Sequence, residues 1–81
     1  MAIGKFSQEV ASSTICTQTG ARIRELRTVK GWTQQILADH AQIERAHLAR
    51  LEEGRREAGL MMLKKISNAL GVSLSELLKG L

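Results

Sequence analysis

Proline is absent from the 81 residues. No helix is therefore obliged to break or kink for want of a backbone amide. Cysteine occurs once, as Cys16, which excludes an internal disulfide and suits a reducing, cytoplasmic setting. Phe6 and Trp32 are the sole aromatics, so a core must be assembled from Leu, Ile, Val, Ala and Met, a set that favours helices. Apolar runs extend for a few residues at most, too short for a membrane span, and the polar start does not read as a secretory signal. His40 and His47 are seven apart and no third ligand sits at useful spacing with Cys16, so no metal site is expected. There is no nucleophile–base pair and no phosphate-cradling glycine loop; neither an enzyme nor a cofactor is expected.

Acidic charge is the scarcer sign. Twelve Lys and Arg against eight Asp and Glu leave a formal charge of +4. That balance suits an anionic partner, although an ordinary solvated surface has the same look. The length sets a single domain with a modest core, a size that often gains stability by dimerising.

What the chain does have is helix punctuation. Residues 1–18 read as an N-terminal arm or tail. Ile3, Phe6 and Val10 have helical spacing, and the hydroxyl-rich Ser12-Ser13-Thr14-Ile15-Cys16-Thr17 reads as a loop or short extended piece. An arm would pack Phe6 on its own core or on a second subunit; Lys5, offset by Glu9, is too little charge for tracking DNA. Thr19 is the expected N-cap of a first helix over about 20–30, with Ile23 and Leu26 inward, Arg22, Arg24 and Lys30 in water, and Gly31 closing it. Thr33 caps a second helix running to about His40. A third runs from about Glu44 to Glu53 and stops at Gly54. Leu37, Ala38 and Ala41 mark the inner side of the second helix, and Ile43, Leu48 and Leu51 that of the third. At 100° per residue this leaves Arg45, Ala46, Ala49, Arg50 and Glu53 outside, with His47 at the boundary. Beyond residues 55–59 a fourth helix spans about Leu60 to Leu70, with Leu60, Leu63, Ile66 and Leu70 inward. Met61 and Met62 point 100° apart, so at least one faces out. Ser73 with Glu76 forms a capping box and Val72 with Leu77 a hydrophobic staple for a fifth helix, ending near residues 79–80.

Two short helices joined by a tight corner, the second one basic and exposed, suit insertion into a DNA major groove. The ordered set Ile23-Arg24-Glu25-Leu26-Arg27, Gly31-Trp32-Thr33-Gln34, Leu37-Ala38, Leu51-Glu52-Glu53-Gly54-Arg55, Leu63 and Ala69-Leu70-Gly71-Val72-Ser73 resembles the lambda-repressor-like, or Xre, helix-turn-helix family. Arg55-Arg56, the Gly59-Leu60 step and the small size also resemble controller proteins of restriction–modification systems. The resemblance implies an all-α, compact five-helix domain over residues 19–81. It implies phosphate contacts from Thr33 and Gln34, and recognition positions at Glu44, Arg45, Ala46 and Arg50. It further implies a backbone grip by Arg55 and Arg56 and a structural ion pair between Arg27 and Glu52. Gln42 departs from the family at the corner, where glycine is usual and a left-handed residue costs about 1 kcal/mol. Glu44 departs from the usual short cap, and Glu44 and Glu53 set negative charge near the expected DNA surface. Gly59 is a weak cap for the fourth helix.

The expected function is a cytoplasmic, sequence-specific transcriptional regulator that binds double-stranded DNA at a palindromic operator as a homodimer and does not engage membranes. Leu74, Leu77, Leu78 and Leu81 are the expected dimer contact. The alternative is a protein-interaction module, an antitoxin or anti-repressor subunit, favoured by the N-terminal arm, the methionines and the acidic Glu44 and Glu53.

Overall fold

Five helices follow one another in the computed structural model, which describes residues 2–81, with side chains from Thr14 onward. They are α1 (Ala2–Val29), α2 (Gln34–Ala41), α3 (Arg45–Glu52), α4 (Leu60–Leu70) and α5 (Leu74–Leu77), and no strand occurs among the described residues. The all-α architecture expected from composition and punctuation is the one observed.

Local chemistry accounts for most of the boundaries. The Thr33 hydroxyl accepts the Ile36 amide at 3.2 Å and fixes the first turn of α2. The Ser73 hydroxyl accepts the Glu76 amide at 3.0 Å and does the same for α5. Each bond satisfies an amide that has no intrahelical partner. Gly59 and Glu44 precede α4 and α3 in extended conformation without a side-chain capping bond.

The first helix differs most from expectation. It does not begin at Gly20 with Thr19 as cap. Thr19 lies inside a continuous helix, and Thr14-Ile15-Cys16-Thr17 is helical where a loop was expected. With no proline to stop it, a helix already nucleated extends through Ser and Thr at a cost of a few tenths of a kcal/mol each. Contacts with α3 support that extension. A Cβ on Gly20 would lie 2.7 Å from the Glu52 carbonyl oxygen, so the two backbones meet where α1 lacks a side chain. A Cβ on Gly54, just after α3, would lie 2.8 Å from the Cα of Thr17. The readings of Ile3, Lys5, Phe6, Glu9 and Val10 concern side chains outside the described residues.

The core is formed by Ile23 of α1, Leu37, Ala38 and Ala41 of α2, Leu48 and Leu51 of α3, Leu63, Ile66 and Leu70 of α4, and Leu77 of α5. Leu26, Trp32, Ile43, Met62, Leu74 and Leu78 pack against its edge. Helix α1 lies on α3, α2 bridges α3 and α4, and α5 closes against α4. Two assignments change, one inward and one outward. Leu60 shares a face with Leu63 but sits at the first position of α4, one turn beyond the covered part of the stripe, and is 72% exposed. Leu77 is fully buried in the core of its own chain and so leaves the surface expected to contact a second copy. Met61 is exposed and Met62 half-buried, as their 100° separation requires.

Candidate nucleic-acid interface

The corner that aims α3 is built around a left-handed glutamine. Gln42 has φ 59° and ψ 46°. Its amide reaches the Asp39 carbonyl at 3.2 Å, and the Ile43 amide reaches back to the Ala38 carbonyl at 3.0 Å. These bonds close the end of α2 in the manner of a Schellman turn. Ile43, half-buried against the core, completes it. The glutamine therefore adopts the conformation that glycine takes without strain, at a cost of about 1 kcal/mol.

From this corner α3 leaves with Leu48, Leu51 and Glu52 turned inward. Arg45, Ala46, Arg50 and Glu53 are exposed, while His47 and Ala49 are half-buried at the flanks. The Glu44 side chain makes no capping bond, so the first turn of α3 keeps its amides open at the end nearest the exposed Arg45 and Ala46. Beyond α3, Arg55 is exposed and its guanidinium lies 3.7 Å from Glu53. Arg56 is exposed as well but borders a groove of about 170 Å³, shared with Ile15, Cys16 and Thr19 of α1.

Glu52 holds the assembly from behind. Its side chain has no exposed surface. Arg27 Nε donates to Oε2 at 2.7 Å and Arg27 Nη2 to Oε1 at 2.9 Å, a two-point grip that suits the planar guanidinium. Arg27 Nη1 donates to the Trp32 carbonyl at 2.7 Å and so ties α1 to the turn before α2. Gln34 Nε2 donates to Glu52 Oε1 at 3.1 Å. Burial acts to raise the Glu52 carboxyl, but the bonds from Arg27 and Gln34, the Arg27 charge and a contribution from Arg24 outweigh it and hold the group below its ordinary value of 4.5. The bond to Glu52 raises Arg27 above its ordinary, already strongly basic value.

Two arginines expected in water are engaged. Arg24 Nε lies 3.5 Å from Glu52 Oε1, with its side chain still 55% exposed. Arg22 is half-buried; it donates to Glu25 at 2.8 Å and to the Glu76 carbonyl at 3.0 Å, joining α1 to α5. The three-residue step from Arg24 to Arg27 signals a shared helix face, but their common acceptor is evident only once α1 and α3 are seen to touch. Lys30 remains exposed, with Nζ 5.0 Å above the Trp32 ring, and that ring stacks on His40 at 4.5 Å. The expected site residues thus fall into two sets. Thr33, Gln34, Arg27 and Glu52 meet where α1, α2 and α3 converge. Glu44, Arg45, Ala46, Arg50 and Arg55 lie along the exposed side of α3 and just beyond it.

Among the described residues no group of three His, Cys, Asp or Glu is placed to hold a metal ion, and no helix is long and apolar enough to cross a membrane.

Comparison with known proteins gives consistent results. The family described as helix-turn-helix domain matches residues 20–81. A prophage-derived, uncharacterized HTH-type transcriptional regulator of Bacillus subtilis, YonR, is 46% identical over 61 residues, which is 75% of this chain and 56% of that protein. This chain therefore spans little more than half of that relative. The control protein C.MunI of Mycoplasma is 36% identical over 59 residues, covering 72% of this chain and 80% of that one. Among solved structures, the restriction–modification controller protein C.AhdI from Aeromonas hydrophila superposes with a TM-score of 0.75 at 35% identity, over 76% of this chain and 94% of that one.

Proposed function

The chain belongs to the helix-turn-helix family of transcriptional regulators, and from that premise we propose that it binds double-stranded DNA sequence-specifically as a homodimer at a palindromic operator in the cytoplasm. In this reading α3 of each copy enters one of two successive major grooves about 34 Å apart. The observation that carries it is the division of α3: Leu48, Leu51 and Glu52 are fixed within the fold, while Arg45, Ala46 and Arg50 are exposed.

The roles follow from side-chain chemistry. Arg45 and Arg50 present guanidinium forks suited to the O6 and N7 of guanine. Ala46 allows close approach or contact with a thymine methyl, and Glu44 can accept from a cytosine amine. Thr33 uses its hydroxyl on the Ile36 amide, which leaves its own amide, with that of Gln34, for a phosphate at the positive end of α2. Gln34 has one amide hydrogen tied to Glu52 and a second for the same phosphate. Arg55 and Arg56 grip the backbone; the groove beside Arg56 leaves its charge in solvent.

Selection from random duplexes, read against a salt series, tests the proposal. Enrichment of a two-fold symmetric site with half-sites one helical turn apart is the expected result. Salt-sensitive binding with no enriched sequence would overturn it in favour of a protein-interaction module. Arg45→Ala and Arg50→Ala should each cost about 1–3 kcal/mol and relax preference at one base pair per half-site. If both variants keep wild-type affinity and selectivity, α3 is not the reader.

A further inference from the structure

The carboxylate of Glu52 is served by more positive charge than it can neutralise. Arg27 alone matches it, through the two-point grip at 2.7 and 2.9 Å. Arg24 is drawn to the same Oε1 at 3.5 Å. One negative charge against two guanidinium groups leaves one positive charge in surplus. The surplus resides at Arg24: the Arg27 side chain is 12% exposed and that of Arg24 is 55%. Arg24 is also held in place. Its Nε faces Glu52, so both terminal nitrogens remain for an acceptor in solvent. The Glu52 oxygen it faces also accepts from Gln34 Nε2 at 3.1 Å, which sets the exposed guanidinium beside the first residue of α2.

Resting on the DNA-binding reading above, the geometry points to Arg24 as a further backbone-contacting residue, the cation that completes the phosphate site at the start of α2. Helix α1 thereby contributes directly to the interface and does more than brace it. The contact reads no sequence. It fixes the register of α2, and through the shared Glu52 that of α3, on the duplex. Arg24 differs in this from Arg27, whose nitrogens are all directed at Glu52 and the Trp32 carbonyl.

Arg24→Gln tests the assignment, because glutamine keeps a donor toward Glu52 while removing the charge. Affinity for the selected operator and for an unrelated duplex is measured from 50 to 200 mM salt, alongside thermal unfolding of the free protein. The slope of log K against log salt should fall by about 0.9 per subunit for both duplexes. Over that fourfold salt range, each subunit of the variant should then lose about threefold less affinity than its wild-type counterpart. The melting temperature should stay at the wild-type value, and Arg24→Lys should restore the slope. An unchanged slope overturns the assignment, as does a fall in melting temperature with the slope intact, which would make Arg24 purely structural. A wild-type chain with no salt-dependent binding to either duplex would remove the DNA reading itself, and this one with it.

Discussion

A carboxylate without exposed surface carries a desolvation cost of several kcal/mol unless it is paired and fully hydrogen-bonded, and Glu52 meets that condition through Arg27, Gln34 and Arg24. Arg27→Ala removes the two-point partner and leaves the charge buried, so it should destabilise the fold by about 3–5 kcal/mol. The measurement is a lower urea midpoint at constant m value. The same group sets an acid limit. Its folded-state value lies below the ordinary 4.5, so the ionised form contributes stability that is fully present above that ordinary value and is lost as pH falls through the folded one. Arg27 stays charged throughout, since its shift is upward from an already strongly basic value. Urea midpoints followed from pH 7 downward should fall more steeply below about 4.5 for the wild type than for Glu52→Gln; parallel curves would show that another carboxylate governs acid unfolding. The Arg27 and Glu52 positions were legible in the sequence because they belong to a recurrent set of motifs. Arg24 was not, because an arginine on a helix face is ordinarily solvated, and only the contact of α1 with α3 brings it to the shared oxygen.

Between helices, two positions hold the geometry that aims α3, and they test in opposite directions. Gln42 is left-handed at φ 59°. Gln42→Gly should remove the strain and stabilise by up to about 1 kcal/mol, less the backbone freedom glycine adds to the unfolded chain. That corresponds to a rise of a few degrees in melting temperature, and a fall would mean that the glutamine side chain contributes something its exposed position does not reveal. Gly20 is buried, and an added Cβ would meet the backbone of Leu51 and Glu52. Gly20→Ala should therefore force α1 away from α3 at a cost of about 1–3 kcal/mol, even though alanine is the better helix former. The caps at Thr33 and Ser73 were readable because each depends on a hydroxyl at one position. The start of α1 was not. Its boundary depends on tertiary contact at Thr17 and Gly20, and a glycine that permits two helices to meet is written the same way as one that ends a helix. The left-handed Gln42 lies between: family pattern marked the position, and the closing bonds to Ala38 and Asp39 show how the strain is held.

For the molecule as a whole, an α3 of 8 residues offers few base contacts, and joining two half-sites turns the second binding event into an intramolecular one. That argument requires a second copy, and the C-terminal region is the proposed place for it to dock. Leu77 belongs to the core, Leu74 and Leu78 straddle its edge, and Leu81 is 47% exposed. Arg22, bonded to the Glu76 carbonyl, keeps α5 against α1 and so holds this surface at a fixed angle to α3. A two-fold interface uses each residue twice. Losing the burial of a half-exposed leucine, about 1 kcal/mol per copy, thus weakens the dimer by about 2 kcal/mol, or roughly thirtyfold in Kd. Leu81→Asp should produce that change in sedimentation equilibrium and reduce operator affinity while leaving urea unfolding of dilute protein unaltered. Leu77→Ala should behave oppositely, costing about 2–5 kcal/mol of folding stability with no separate effect on association. A wild-type chain that sediments as a monomer both alone and on its selected operator would sink the two-fold reading, and α3 would then have to act from one half-site alone.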